Sequence, residues 1–529
     1  MTPPRRHDFA GLSLSLLSAL DTVDGVDETL ELLDAREEGG ALVVERVSSL
    51  WDRAWLELRR VGDALEVRTC VRGRGALTDV QLLGGRSAIP GAPLGRMLSG
   101  SRFSTLFSPN PEDGAPPFRP AAEGAVTGVV GEGEPGRARW LYTPAPLFWS
   151  LGSDGSWVDL GIAAPLEQLR FAEARWESVA AGFSLRLDYD ARTQVDGEFR
   201  APVLVLTPSG DPWAGLKRHR LDLAARGAAP AVARRERPAW WGEPIFCGWG
   251  AECWLEKQHG GLARDYSTQA NYDVFLAQLG EHGVTPGTVV LDDKWQATYG
   301  RNEPDTAKWP DLRGWIAGQH EAGRHVLLWW KAWDPEGLPP ELCLRNAAGV
   351  PVALDPNNSA ARDELTRSVT EMIDGLGADG FKVDFTARTP SGRGLQGAQG
   401  AWGISLLHEL LRVLYDAAKA AKADALVITH TPHPAFVDVT DMIRLNDAIG
   451  GVDFVEQMEF RADVARAAVP ELPIDTDDWR APNKREWREY LERKREIGVP
   501  SLYYASHLDA TGEEFDDDDY AAIARVFAS

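Results

Sequence analysis

Residues 377–385 read GADGFKVDF, and two of them do not suit the interior of a hydrophobic strand. Phe381, Val383 and Phe385 favour burial. Lys382 and Asp384, two apart, share the other face of a strand. An ammonium group beside a carboxylate keeps it ionised, as a nucleophile or a stabiliser of positive charge must be. Similar polar residues recur where other apolar runs end. Asp292 and Asp293 follow TVVL, and Trp249 follows PIFCG. Trp329, Lys331 and Trp333 lie in and after HVLLWW, and His430 follows ALVIT. Arg444 and Asp447 lie in IRLND, and Asp475, Asp477 and Asp478 in PIDTDD.

These residues need a frame that brings strand ends together. From Pro244 the chain alternates strand and helix in eight units, with strands PIFCGW, TVVLDD, HVLLWW, GFKVDF, ALVITH, DMIRLN, LPIDTD and SLYYAS. The link from the fifth strand to the sixth is too short for a full helix. Eight such units over about 285 residues fit a (β/α)8 TIM barrel, whose active sites gather at the C-terminal ends of the strands. A doubly wound sheet is the alternative, but no glycine-rich phosphate loop follows the first strand. Residues 1–227 alternate with period two in AWLELRR, LEVRTCV and FSLRLDY, and predict an antiparallel β-sandwich. A linking helix over PWAGLKRHRLDLAARG ends at Gly227. Residues 228–243 read as a linker, and 244–529 as the barrel. The fold class is therefore α/β, a barrel behind a β-sandwich.

The formal charge of −23 argues against nucleic-acid and anionic-membrane partners and suits a neutral ligand. No apolar run approaches the roughly 20 residues of a membrane span. The start FAGLSLSLLSAL reads as a domain-initial strand or helix in preference to a signal peptide. Cys70, Cys247, Cys253 and Cys343 are scattered, which points to reduced thiols and a cytoplasmic location. The N-terminal region is expected either to reach over the barrel mouth or to meet a neighbouring subunit of a homo-oligomer.

Taken singly, His430, His433 or Asp475 is explained equally well as a helix cap or loop residue. Taken together, acids and bases converge from five strands. Asp292, Asp293, Asp384 and His430 could be assembled around a metal, but Lys382 and Arg444 would oppose the cation, so the expected metal count is none. No cofactor is called for. Paired carboxylates with nearby cations and tryptophans fit glycoside chemistry better. One carboxylate attacks or stabilises the anomeric carbon, and the other protonates the leaving oxygen. Flat indole faces suit the C–H face of a sugar ring.

VVLDDKW resembles the second-strand motif of family 36 glycoside hydrolases, the α-galactosidases of bacteria and plants. KWPDLRGWIAGQHEAGRHVLLWW, ALDPNNSAARDELTRSVTEMIDGLGADGFKVDF and IRLNDA resemble their following units, in the same order. That likeness implies a retaining α-glycosidase acting on an oligosaccharide or other α-glycoside, with Asp384 as nucleophile and Asp447 as acid/base. Asp292, Asp293 and Lys382 would hold the sugar, and Arg444 would serve Asp447. Trp249, Trp329, Lys331, Trp333 and His430 complete the expected substrate contacts. Two features depart from the family: Lys294 replaces a glycine of the second-strand motif, and the loop after the fifth strand reads THTPHPAF. The family's relatives also include transglycosidases and enzymes of α-glucosidase type. A sugar-binding protein without catalysis would need the paired aspartates lost, and both are present.

Overall fold

The computed structural model describes residues 5–91, 94–110, 116–130, 142–153, 155–179, 182–233, 236–448 and 450–528. Eight short parallel strands form its C-terminal part: Ile245–Cys247, Thr288–Leu291, His325–Lys331, Gly380–Asp384, Leu426–Thr429, Met442–Arg444, Ile474–Asp475 and Ser501–Leu502. They are barrel strands 1 to 8 below. Their hydrogen-bonded order is 7-6-5-4-3-2-1-8. A parallel bridge between Asp475 and Val499 brings the segment leading into strand 8 beside strand 7, so the barrel is nearly closed.

In strand 4, Phe381 and Val383 are wholly buried among apolar neighbours. Burial of each contributes about 1.5–3 kcal/mol, which fixes which face of the strand turns inward. Lys382 and Asp384 then take the inner face. Phe385 does not continue the alternation. The strand ends at Asp384, and Phe385 takes φ +61° and turns its ring edge-on to Trp329.

The helices between strands start at side-chain caps. Thr268 accepts from Asn271 N–H, Asp311 from Gly314 and Asp453 from Glu456. The helix Ile404–Ala421 buries Ile404, Leu407, Leu411, Leu414 and Ala418, the spacing of one helical face. Only a 3-10 turn, Pro434–Phe436, connects strands 5 and 6. The last helix, Asp517–Ala528, begins after Asp516, whose carboxylate accepts from Asp519 N–H.

The N-terminal part is antiparallel apart from one parallel pair, but its hydrogen bonding does not divide it into the two separate sheets of the expected sandwich. Fifteen strands form one continuous sheet, joined through two 19-residue strands, Ala64–Leu82 and Gly182–Arg200. Their pairing shifts register between Asp188 and Thr193, where Asp190 and Ala191 take positive φ. A sequence pattern of period two sees each half of such a strand, not its continuity. Arg6–Phe9 and Leu12–Ser15 form a separate small sheet with Gly100–Ser101, turning at Gly11 with φ +89°, while Ala19–Thr22, at the end of FAGLSLSLLSAL, joins the large sheet. The helix Pro212–Ala225 is followed by Gly227 at φ +70°, as the glycine suggested. In the expected linker, Trp240 and Trp241 are docked: they donate to the side chain and backbone oxygen of Asp424, and Trp240 stacks on His325.

The N-terminal part lies against the loops after strands 4 and 5 and the helix after strand 6. Val130 bridges to Arg388, Thr143 N–H donates to His430 O at 3.0 Å, and Tyr142 Oη to Arg461 O at 2.8 Å. No helix among the described residues is long and apolar enough to cross a membrane.

Candidate active site

Strand 4 delivers Asp384 to the barrel mouth, and its carboxylate is held on both oxygens. Oδ1 accepts from Phe385 N–H at 2.9 Å and from Arg444 Nη2 at 3.2 Å; Oδ2 accepts from the Trp329 indole at 3.2 Å. Strand 6 delivers Arg444, and the loop beyond it delivers Asp447, whose Oδ1 lies 3.1 Å from Arg444 Nη1. One guanidinium, 1% exposed, thus touches both carboxylates, each about a quarter exposed. Asp477 accepts from the same Nη1 at 2.8 Å and Asn446 Oδ1 from Nη2 at 2.7 Å.

The two carboxyls are driven apart electrostatically. Burial pushes Asp384 up, but Arg444, His430 and Lys382 outweigh it and hold the carboxyl well below its ordinary range. Burial takes His430 down to about 3, so its ring is neutral near neutral pH and Arg444 and Lys382 are the charges Asp384 meets there. Burial raises Asp447 to about 6; Arg444 opposes this, and the anions Asp384 and Asp477 add to it. An ionised carboxylate and a protonatable one therefore share a single cation.

Lys382 and Asp292 lie beneath. Lys382 Nζ is 2.6 Å from Asp292 Oδ2, and both side chains are 3% exposed. The Cys247 thiol donates to the same oxygen at 3.0 Å, and the Tyr503 ring lies 4.7 Å from Nζ. Asp293 is nearer the surface, accepts from Tyr299 Oη at 2.7 Å, and is raised by burial to about 6. Lys331 pairs with Asp334 at 2.8 Å and lies over the Tyr299 ring. His430 is buried, with Nε2 2.6 Å from Thr386 Oγ1. Trp333 is 3% exposed, and its indole nitrogen has no hydrogen-bond partner among the described residues. Trp249 meets Trp479 edge-on at 5.8 Å. Both line an open cleft of about 860 Å3 with Asp293, Arg264 and Ala510; neither Asp384 nor Asp447 lines it.

The sequence reading did not assign Asp477, Asn446, Tyr503, Cys247 or Arg461 to the site. Arg461 reaches from the helix Phe454–Ala468 and donates to the carbonyls of Leu445, Asn446 and Asp447 at 3.0, 2.7 and 2.9 Å. It fixes the loop that carries Asp447. Its helix position gives no hint of this, whereas the aspartates of PIDTDD were visible as a cluster. Lys294, Trp333, Phe385, Asn446 and Asp477, each just past the end of a barrel strand, have positive φ. Such strain costs about 1–3 kcal/mol per residue and concentrates at functional rims. No group of three or more His, Cys, Asp or Glu among the described residues could hold a metal ion.

No protein-family model matches the sequence, and no curated protein does. Solved structures do match. An α-galactosidase from Thermus thermophilus, in complex with p-nitrophenyl α-D-galactopyranoside, aligns over 94% of this chain and 94% of its own with TM-score 0.55 and 16% identity. A family 31 sulfoquinovosidase from E. rectale aligns over 94% and 74% with TM-score 0.61 and 12% identity. An uncharacterized Listeria monocytogenes protein, solved with α- and β-D-glucose, magnesium and calcium, gives TM-score 0.59 and 11% identity. The chain covers 53% of that protein's length, while 96% of the chain is aligned. The chain shares their fold.

Proposed function

We propose that this chain is a retaining α-glycosidase, α-galactosidase-like in its choice of a terminal α-linked sugar. The observation that carries the reading is Arg444, one buried guanidinium bonded to both Asp384 and Asp447 while their proton affinities are pushed in opposite directions. In the first step an Asp384 oxygen bonds to the anomeric carbon as that carbon's bond to the leaving oxygen breaks. Asp447 gives its proton to that oxygen. In the second step water attacks the anomeric carbon, passes a proton to Asp447, and the bond to Asp384 breaks. A retaining enzyme places the two carboxyl groups about 5–5.5 Å apart.

Asp293, Lys331 and Trp249 are the expected sugar contacts, and Trp329, 1% exposed, positions Asp384 through its indole. Lys382, Asp292, His430 and Trp333 work from beneath, by fixing the charges and walls that the ring meets. The resemblance of VVLDDKW and IRLNDA to the α-galactosidase family supports galactose as the sugar.

The test is turnover of p-nitrophenyl α-D-galactopyranoside beside the α-D-glucopyranoside, for the wild type and Asp384→Ala. Cleavage of the galactoside, reduced in the variant by a factor on the order of 10^4 or more, is expected. Cleavage that survives Asp384→Ala removes Asp384 from the chemistry.

A further inference from the structure

Glu252 lies wholly buried on the helix Trp249–His259, which follows strand 1. Its Oε1 is 3.0 Å from the hydroxyl of Tyr272, which is wholly buried on the helix Gln269–Glu281. That hydroxyl has two more partners. Asp292 N–H donates to it at 2.9 Å, and Val290 O lies 3.0 Å away. The sequence makes room for it at Gly248, where a Cβ would come within 2.3 Å of Tyr272 Oη.

A phenol hydroxyl has a single hydrogen to give and accepts with its lone pairs. Val290 O is a carbonyl and can only accept, so it takes the Tyr272 hydrogen. Asp292 N–H can only donate. The third contact is then a hydrogen bond only if Glu252 Oε1 supplies the hydrogen. Glu252 Oε2 agrees: it is buried with no hydrogen-bond partner among the described residues, which suits the carbonyl oxygen of a neutral acid better than half of a carboxylate. The surrounding charges agree as well. Lys382, the buried ammonium of this corner, is paired with Asp292. Lys308, half-buried beyond strand 2, donates to the carbonyls of Arg264 and Lys294 at 2.6 and 3.0 Å. Burial, then the anions Asp292 and Asp293, push the Glu252 carboxyl well above its ordinary range, with Lys308 opposing. Burial likewise raises the neighbouring Cys253 thiol, which stays uncharged.

We propose that Glu252 is a positioning residue held as a neutral carboxylic acid, whose proton, carried on Oε1 and donated to Tyr272, fixes the end of strand 2 and with it Asp293. Tyr272 holds the Asp292 amide, and Asp292 Oδ1 in turn accepts from Asp293 N–H at 2.8 Å, so the hydrogen bonds run unbroken from Glu252 to the rim. The benefit to a bound sugar rests on the glycosidase reading above; the proton does not.

Infrared difference spectra of the wild type against Glu252→Gln read the proton directly at about pH 8, where Asp293 and Asp447 are ionised. The carbonyl stretch of a carboxylic acid is expected in the wild type and not in the variant. Should Glu252→Gln fold poorly, Tyr272→Phe is expected to shift that stretch, because the acid loses its acceptor. A glutamine amide donates to Tyr272 as the acid does but never ionises. The unfolded wild type ionises Glu252 as pH rises and the folded one does not, so the folding constant of Glu252→Gln relative to wild type should rise about a hundredfold between about pH 5 and about pH 7. Glu252→Met removes the donor. Amide exchange at Asp292 should then quicken about tenfold or more, and KM for the cleaved glycoside should rise about tenfold with kcat changed less than about twofold. Glu252→Gln should leave exchange, KM and kcat within about twofold of the wild type. No difference band, or a ratio of folding constants flat with pH, overturns the proton. Glu252→Met behaving as Glu252→Gln does overturns the positioning role. If no glycoside is cleaved, the glycosidase reading fails by itself, and the band and the amide exchange still decide the proposal.

Discussion

Lys382 Nζ and Asp292 Oδ2 form an ion pair of 2.6 Å sealed beneath the barrel mouth, each side chain 3% exposed. The sequence marked both residues as sugar ligands, and the structure turns them toward each other. Lys382→Met would leave the Asp292 carboxylate buried without its cation, a loss of about 3–5 kcal/mol. Chemical denaturation should show that loss, and Lys382→Met combined with Asp292→Asn should recover much of it. A single variant as stable as the wild type, with only KM raised, would return Lys382 to the role of sugar ligand.

The pH dependence follows from Asp447. It donates a proton only while protonated, and burial raises it to about 6. Asp384 must be ionised, and its cations hold it below the ordinary carboxylate range. The profile of kcat/KM should therefore stay high on the acid side and fall as pH rises through about 6. Asp477 is one of the anions that raise Asp447, so Asp477→Asn should shift that fall to lower pH. A limb that stays or moves upward contradicts the assignment.

The Trp329 indole donates to Asp384 Oδ2 at 3.2 Å. Trp329→Phe keeps most of the packing and removes the donor. A hydrogen bond to a charged group contributes about 1.5–3 kcal/mol, so kcat should fall about ten- to a hundredfold, with little change in the denaturation midpoint. Unchanged kcat would mean that the indole does not orient the nucleophile.

Arg461 acts through the loop it clamps. Arg461→Met frees three carbonyls around Asp447. Displacement of the acid should lower kcat by up to about a hundredfold while KM changes little. Equal losses in both would point to general unfolding of the mouth.

The sequence carried the barrel because each strand is a short apolar run with punctuation on both sides, and Phe381 and Val383 obey that pattern. It carried Asp384, Arg444 and Asp447 as strand-end residues for the same reason. The pairings across the barrel, Lys382 with Asp292 and Cys247, or Arg444 with Asp477, were not legible, since they depend on which inward side chains meet at one level. Phe385 and Asn446 were misread or passed over because their positive φ is set by the rim and leaves no mark in composition. The continuous N-terminal sheet was hidden because LEVRTCV reads as one short strand of period two, whereas the strand runs from Ala64 to Leu82.

The central claim is that Asp384 forms a bond to the sugar and that water then replaces it on the same face. Proton NMR of the first-formed sugar from a cleaved p-nitrophenyl α-glycoside tests this most directly, because two displacements restore the starting configuration. The account predicts the α anomer at the earliest times, before mutarotation. A β anomer formed first would mean a single displacement by water, and would contradict the role given to Asp384.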